Sequence, residues 1–371
     1  MNGDAYVAVM IDGVFTNYSS EDPTPPSAQG YLWGDDLIDG GGDSDELFGD
    51  SRSINYAITS GTVDQTVDLG DDTLFGGSGD DWVYGDGNLT SSRYSSSSSG
   101  SGPASVMTIN GGDDVLSGGS GNDYLLGEGY NLVMVHWGTF RSGSEGTAAL
   151  IGGDDLLDGG DGVDTLIGDG LNVFFRYGIT GSTQEFIGGN DTLLGGEGAD
   201  NLIGDALLVV DDEHPSQTPD GTRYLTGGDD VLNGGDSDDT IVGDFQSYAL
   251  SDGYNVVTGG NDTISGGEGD DRLCGDIRNF IETPAEYTGG ADVFVFLPDS
   301  GQDTIYDFEV GVDRIDVSGL GITSMNDLSG MITYDQNTGS AVIDWDGPLE
   351  SNDELILLNV SQLTEDDFIF A

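Results

Sequence analysis

A 17-residue unit returns seven times along this 371-residue chain, beginning at Gly34, Gly70, Gly112, Gly153, Gly189, Gly228 and Gly260. The third copy reads GDDVLSGGSGNDYLLGE and the fifth GNDTLLGGEGADNLIGD, so the shared form is G-[DN]-D-x-L-x-G-G-x-G-x-D-x-L-x-G-[DE]. Such a repeat demands a stacked array rather than one compact core. In each copy aliphatic residues alternate with others on both sides of a tight turn, the period-2 signal of two short strands with one buried face. Ile38, Leu74, Leu116, Leu157, Leu193, Leu232 and Ile264 form one inward column, and Leu47, Val83, Leu125, Leu166, Leu202, Ile241 and Leu273 the other. A single copy buries two aliphatic side chains, too little to offset the entropy of ordering it, so the copies must stack. The expected fold is all-β, a solenoid with parallel strands in each column.

Between the strands lies G-G-x-G-x-D, where a sharp turn at close stacking distance needs backbone angles that residues with a Cβ avoid. Such turns bend peptide carbonyls toward the next layer, and with the aspartate they offer an all-oxygen cage. That cage suits a hard cation taking about six to eight oxygens, and it is too flexible and carboxylate-rich for zinc. The charge agrees: 69 Asp and Glu stand against 8 basic residues, all arginine, for a formal net charge of −61. So acidic a chain repels itself unless cations bind it, and its charge argues against nucleic acid and anionic membranes as partners. Calcium is the expected ion.

On these residues the sequence resembles the RTX, or haemolysin-type, calcium-binding repeats, whose nonapeptide GGxGxDxUx builds a parallel β-roll with calcium between successive turns. The resemblance runs from residue 34 to about residue 296. It implies metal-binding positions at Gly40, Gly41, Asp43 and Asp45 in the first turn, and at Gly76, Gly77, Gly79 and Asp81 in the second. The third and fourth turns supply Gly118, Gly119, Gly121 and Asp123, then Gly159, Gly160, Gly162 and Asp164. The last three supply Gly195, Gly196, Gly198 and Asp200, then Gly234, Gly235 and Asp239, then Gly266, Gly267, Gly269 and Asp271. Asp43 and Ser237 replace the third glycine of the motif and should strain their turns. Seven turns leave six gaps, hence about six or more ions.

A regular β-roll would place a second such turn after every second strand. Here the chain reads G-[DE], departs for 13 to 25 residues and returns with G-[DN]-D, so the second turn is split and every excursion leaves from one edge. Runs such as NLVMVHWGTF and GTAALIGG around a turn-like centre read as β-hairpins. The second excursion carries SSRYSSSSSGSGP, a low-complexity tip. Phe48, Tyr84, Leu126, Ile167, Ile203, Val242 and Cys274 are apolar on an outward face, which hairpins folding back would cover. At the base of each excursion Asp50, Asp86, Glu128, Asp169, Asp205, Asp244 or Asp276 replaces a turn glycine. These acids are either a second row of calcium ligands or caps of solvated turns. Gly3-Asp4 before Gly34 repeats the split-turn spacing, so residues 1–33 read as a partial repeat with its excursion and residues 34–289 as the roll.

From Gly290 the period stops, and VFVF, RIDVSG, SAVIDWDG, DELILLNV and DDFIFA follow. Residues 290–371 resemble the C-terminal domain of serralysin-type secreted proteases, which implies a β-rich cap carrying a signal for a type I secretion apparatus. That reading places the protein outside the cell and accounts for the first 33 residues, which lack the basic stretch and apolar run of a secretory signal. No segment approaches the ~20 apolar residues of a membrane span.

Three functions compete. The first is a non-enzymatic module that folds on binding calcium outside the cell. The second is an adhesive or polysaccharide-binding surface on the excursions, using Trp33, Tyr56, Tyr94, Trp137, Phe174, Phe175, Tyr177, Tyr224 and Tyr254, although half-buried strands are ordinarily rich in such rings. The third is the C-terminal part of a larger secreted hydrolase. Within the chain no catalytic group is expected: lysine is absent, which removes Schiff-base chemistry, and His136 and His214 match no metalloprotease motif. Acid pairs such as Asp80 and Asp81 recur at every turn, unlike a single active site. Cys274 rules out an internal disulfide and sits at a strand position that favours packing.

Overall fold

The computed structural model describes residues 6–11, 14–19, 34–50, 53–58, 65–95, 106–138, 146–176, 182–211, 221–250, 253–345 and 353–371. Gly3, Asp4, Trp33 and His214 lie outside these residues. The described strands form four sheets. The first strand of every repeat, from Leu37–Gly42 to Thr263–Glu268, pairs in parallel with its counterparts in the layers above and below, and the second strands, from Glu46–Phe48 to Arg272–Cys274, do the same opposite. Register aligns like with like: Ile38 stands beside Leu74, and Leu202 beside Ile241. All fourteen residues of the two expected inward columns are buried, none more than 2% exposed, and they form one core cluster. Each buried aliphatic contributes about 1.5–3 kcal/mol, a gain realised only when neighbouring layers cover it.

The expected parallel roll with excursions along one edge is observed, but the arms of the excursions do not form hairpins. Outgoing arms, such as Gly129–Gly138 and Gly170–Arg176, pair in parallel with each other in a seven-stranded sheet. Return arms, such as Thr147–Ile151 and Thr183–Ile187, form another seven-stranded parallel sheet. Among the described residues the two arms of one excursion never pair. An isolated two-stranded hairpin is marginal in water, whereas each arm stacked on its counterpart gains a ladder on both sides and a buried face. The two sheets enclose a second core, including Leu132, Phe175, Phe186, Tyr248 and Val257. The molecule therefore has two lobes joined at a waist, where the split turns lie.

The outward apolar column is covered, as expected. Leu126, Ile167, Ile203, Val242 and Cys274 are wholly buried, and Leu171 and Leu207 from the outgoing arms pack over Ile167 and its neighbours. Past Gly290 the sheets run on. Val293–Val295, Arg314–Asp316 and Phe368–Ile369 extend the first roll sheet, while Gln302–Ile305 and Glu354–Leu357 extend the second. The core cluster continues through Phe294, Ile305, Ile315 and Leu355 to Phe368. At the other end an antiparallel pair, Tyr6–Ile11 and Val14–Ser19, lies along Leu37–Gly42.

Candidate metal centre

On the uninterrupted edge the repeat aspartates stack into a ladder. The backbone N–H of each donates to Oδ1 of the aspartate one layer on: Asp45 to Asp81 at 2.7 Å, Asp81 to Asp123 at 2.8 Å, Asp123 to Asp164 at 2.8 Å, and so to Asp303. This bond fixes each carboxylate and leaves Oδ2 free. In Asp45, Asp81, Asp123, Asp164, Asp200, Asp239 and Asp271 the Oδ2 atom is buried without a hydrogen-bond partner. It faces carbonyl oxygens. A Cβ placed on Gly76 would stand 2.5 Å from Asp81 Oδ2 and 2.8 Å from the Gly118 carbonyl, so both oxygens converge beside the first turn glycine. The same cradle recurs at Gly159 with Asp164 and Gly195. The second glycine serves the turn itself: Gly77, Gly119, Gly160, Gly196, Gly235 and Gly267 take φ between 99° and 110°, and Gly41 takes 91°. The third, at Gly79, Gly121, Gly162, Gly198 and Gly269, takes φ of 130° to 154°, whereas Asp43 and Ser237 settle at 75° and 84°. Those two residues thus carry the expected strain by shifting into the left-handed region, where side chains are tolerated at a cost.

The split-turn edge reproduces this ladder across the excursion. Asp72, Asp114, Asp155, Asp191, Asp230 and Asp262, the second acids of G-[DN]-D, accept the N–H of their counterparts one layer earlier at 2.6 to 2.8 Å. Their Oδ2 atoms are also buried and unpartnered. A Cβ on Gly49 would strike Asp72 Oδ2 and the Gly85 carbonyl, repeating the arrangement of Gly40 with Asp45 and Gly76. Sequence reading did not single these aspartates out as ligands. The signal was present: Asp36-Leu37-Ile38 has the same Asp-x-aliphatic spacing as Asp45-Glu46-Leu47.

Asp50, Asp86, Glu128, Asp169, Asp205, Asp244 and Asp276 add a third ladder at the waist. One oxygen of each accepts the N–H of the glycine on which the excursion returns, for instance Gly153 to Glu128 Oε1 at 2.6 Å and Gly260 to Asp244 Oδ1 at 2.8 Å. From Asp86 to Asp276 none is more than 4% exposed, so these acids are not caps of solvated turns. The carboxyl oxygens of Asp50, Asp72 and Asp86 lie within 4.8 Å of one another.

Burial sets the electrostatics of all three ladders. On the outer edge it raises the carboxyl pKa of Asp164 to about 6 and of Asp239 to about 8, with neighbouring carboxylates adding to the rise. At the waist, where the second lobe also excludes water, Asp86, Glu128, Asp205 and Asp244 are pushed well above the carboxylate range, by burial first and by neighbouring carboxylates such as Asp114, Asp169, Asp230 and Asp276 second. Such groups take a proton or a cation. Oxygen-only donors, orphaned carboxylate oxygens and glycine cradles fit a hard divalent ion.

Elsewhere the expected candidates separate. Phe175 is buried in the second core and Phe174 half-buried, whereas Tyr224 and Tyr254 are 39% and 48% exposed. The side chains of Tyr56, Tyr94, His136, Trp137 and Tyr177 lie outside the described residues. Cys274 is buried, and its thiol donates to Asp307 Oδ2 at 2.9 Å; burial pushes its pKa up, which suits packing rather than reactivity. Asp80 stands exposed on the rim while Asp81 is buried in the ladder, so the pair does not form an acid and base facing one cleft. No helix among the described residues is long and apolar enough to cross a membrane.

Residues 184–371 match the family model described as peptidase M10 serralysin C terminal. Residues 67–88, 109–129 and 152–172 match the RTX calcium-binding nonapeptide repeat. Neither model describes a catalytic domain, and the repeat it identifies is a calcium-binding one. No curated protein matches the chain. Among solved structures, the chain is similar to the AlgE6R2 subunit of the Azotobacter vinelandii mannuronan C5-epimerase, with 25% identity and a TM-score of 0.26 over 40% of this chain and 92% of that one. The AlgE6R3 subunit of the same epimerase is similar at 22% identity and a TM-score of 0.22, over 43% and 84%.

Proposed function

The chain belongs to the peptidase M10 serralysin C-terminal family, and on that premise we propose that it is a calcium-binding β-roll that folds on its ions outside the cell after type I export. The observation that carries this reading is the outer row of Oδ2 atoms from Asp45 to Asp271, all buried and unpartnered, with a glycine carbonyl of the next layer beside those of Asp45, Asp81, Asp164, Asp200 and Asp239. One ion sits in each gap, held by the repeat aspartate and by carbonyls of the flanking glycine turns, about six ions along this edge. With layers about 4.8 Å apart, like charges repel strongly, and each divalent ion turns that repulsion into a cross-link. Ion-binding energy is then folding energy. Scarce calcium inside a cell keeps the chain extended for export, and abundant calcium outside folds it.

In this reading residues 290–371 cap the roll and carry the export signal, and the chain binds rather than catalyses. Circular dichroism across a calcium titration tests it. The β signal rises with calcium and rises far less with magnesium, which demands a small octahedron and holds its water. Identical β-rich spectra in excess chelator and in calcium defeat the proposal.

A further inference from the structure

The waist differs from the outer edge in charge. Each layer of the outer edge contributes one repeat aspartate, whereas each layer of the waist contributes two acids, for example Asp205 from the base of the excursion and Asp230 from the returning turn. Both are buried, at 0% and 1% exposure, and each keeps an unpartnered Oδ2. A glycine stands at the excursion-base position in the repeat motif, so this ladder is a property of the split turn. The charges that act on Asp205 are those of Asp230, Asp244, Asp169 and Asp191, all negative. Two carboxylates per layer are balanced by one divalent ion per layer, and a dry site does not hold them charged and unbalanced. Donors suffice. In the gap between Asp169 and Asp205 the free Oδ2 of Asp169 and the Oδ1 of Asp205 meet beside Gly188, while Asp191 Oδ2 and the Gly204 carbonyl meet beside Gly168; the free Oδ2 of Asp205 serves the next gap, beside Gly227 with Asp244. The apolar strip of Ile167, Leu171 and Ile203 borders them, and the second lobe closes over them.

We propose that the waist is a second, interior file of calcium sites, built on carboxylates, which fills before the outer edge and holds its ions against exchange. It rests on the reading above for the identity of the ion, and on its own residues for the sites. Seven excursion-base acids, Asp50 to Asp276, leave six gaps, so about six ions belong to this file. The test uses the full chain loaded with calcium and passed through a desalting column into metal-free buffer, with bound calcium counted by mass spectrometry and exchange followed with labelled calcium. About six ions stay with each chain, and exchange shows a fast outer phase and a slow interior phase. Asp164→Asn leaves the retained number unchanged, Asp205→Asn lowers it by one or two, and Asp205→Glu restores it, since Glu128 already serves in the ladder. Should Asp205→Asn fail to fold, the exchange kinetics of the unaltered chain decide: a single phase overturns the proposal. No retained calcium beside an intact calcium titration also overturns it, leaving a ladder of shared protons and the outer edge as the calcium site. A chain that binds no calcium at all removes both readings.

Discussion

Replacing Asp164 by alanine separates the two jobs of a repeat aspartate. Its Oδ1 accepts the Asp123 N–H at 2.8 Å, and its Oδ2 is the orphan that faces the Gly195 carbonyl at the Gly159 cradle. Losing Oδ1 strands a buried N–H, at a cost of about 1–3 kcal/mol. Taking ~2 kcal/mol, the folding constant falls about 30-fold. If about six outer ions bind as the chain folds, that loss spreads over the sixth power of calcium, and the folding midpoint rises about 1.8-fold before any ligand is counted. Asp45 opens the row, and its carboxylate receives no N–H from an earlier repeat turn among the described residues. Asp45→Ala therefore loses a ligand at one end only. Urea unfolding in saturating calcium reads the first contribution, and a calcium titration by circular dichroism reads both. Asp164→Asn, which keeps an acceptor oxygen, should recover most of the urea loss while leaving the titration shifted. Equal losses in Asp45→Ala and Asp164→Ala would refute the directional ladder.

Three further outcomes follow from the same geometry. The folded carboxyls hold protons more tightly than the unfolded chain, as with Asp72 near 9, Asp239 near 8 and Asp164 near 6 against 3.8; the metal-free fold therefore gains stability as pH falls through that window and none below about 4, so in excess chelator the β signal of a chain unfolded at pH 8 should rise toward pH 5, and a signal that stays flat contradicts it. Gly196→Ala places a Cβ at φ 108° against the Gly160 carbonyl, and should cost at least ~2 kcal/mol in urea with calcium saturating; a change under about 0.5 kcal/mol would disprove the close stacking of the turns. Cutting the chain after residue 289 removes Phe294 and Ile305 from beside Ile264 and Leu273, leaving an open strand edge, so the truncated protein should need more calcium to fold and should aggregate in light scattering; a monomer with an unchanged calcium midpoint refutes the capping role.

The roll was legible because its determinants are local and repeated. Leu116 and Leu125 announce two inward positions in one 17-residue unit, and the sheet order follows once the units stack. The outer aspartates were legible for the same reason, since Gly118 to Asp123 lie within one turn. What was hidden depends on contacts between layers. NLVMVHWGTF has the alternation of a strand whether it pairs with its own return arm or with the outgoing arms of the adjacent layers. Only the accumulated gain of a seven-stranded sheet decides between them, and that gain belongs to the whole array. Asp114 escaped notice as a ligand because the chain interrupts the turn it completes: Gly85 and Asp114 belong to one cradle but stand 29 positions apart, 114 minus 85.

The waist acids and the second lobe require each other. Opening a turn so that the chain can leave removes the second glycine of an intact turn and leaves a gap in the backbone. Asp86 spans that gap, accepting the N–H of Gly112 at 3.3 Å, and Asp276 accepts that of Gly290 at 2.6 Å. Each such closure brings the outgoing and return arms into register with the adjacent layers, so that Leu132 and Val173 stack in one sheet and Leu150 and Phe186 in the other. The lobe in turn shields the acids from water, which makes their bare charge intolerable. The second core is thereby conditional: its apolar surfaces meet only when the waist between them is neutral. In the proposed reading a cation or proton in the waist stabilises both lobes through one site, and the split turn couples the folding of the excursions to that of the roll.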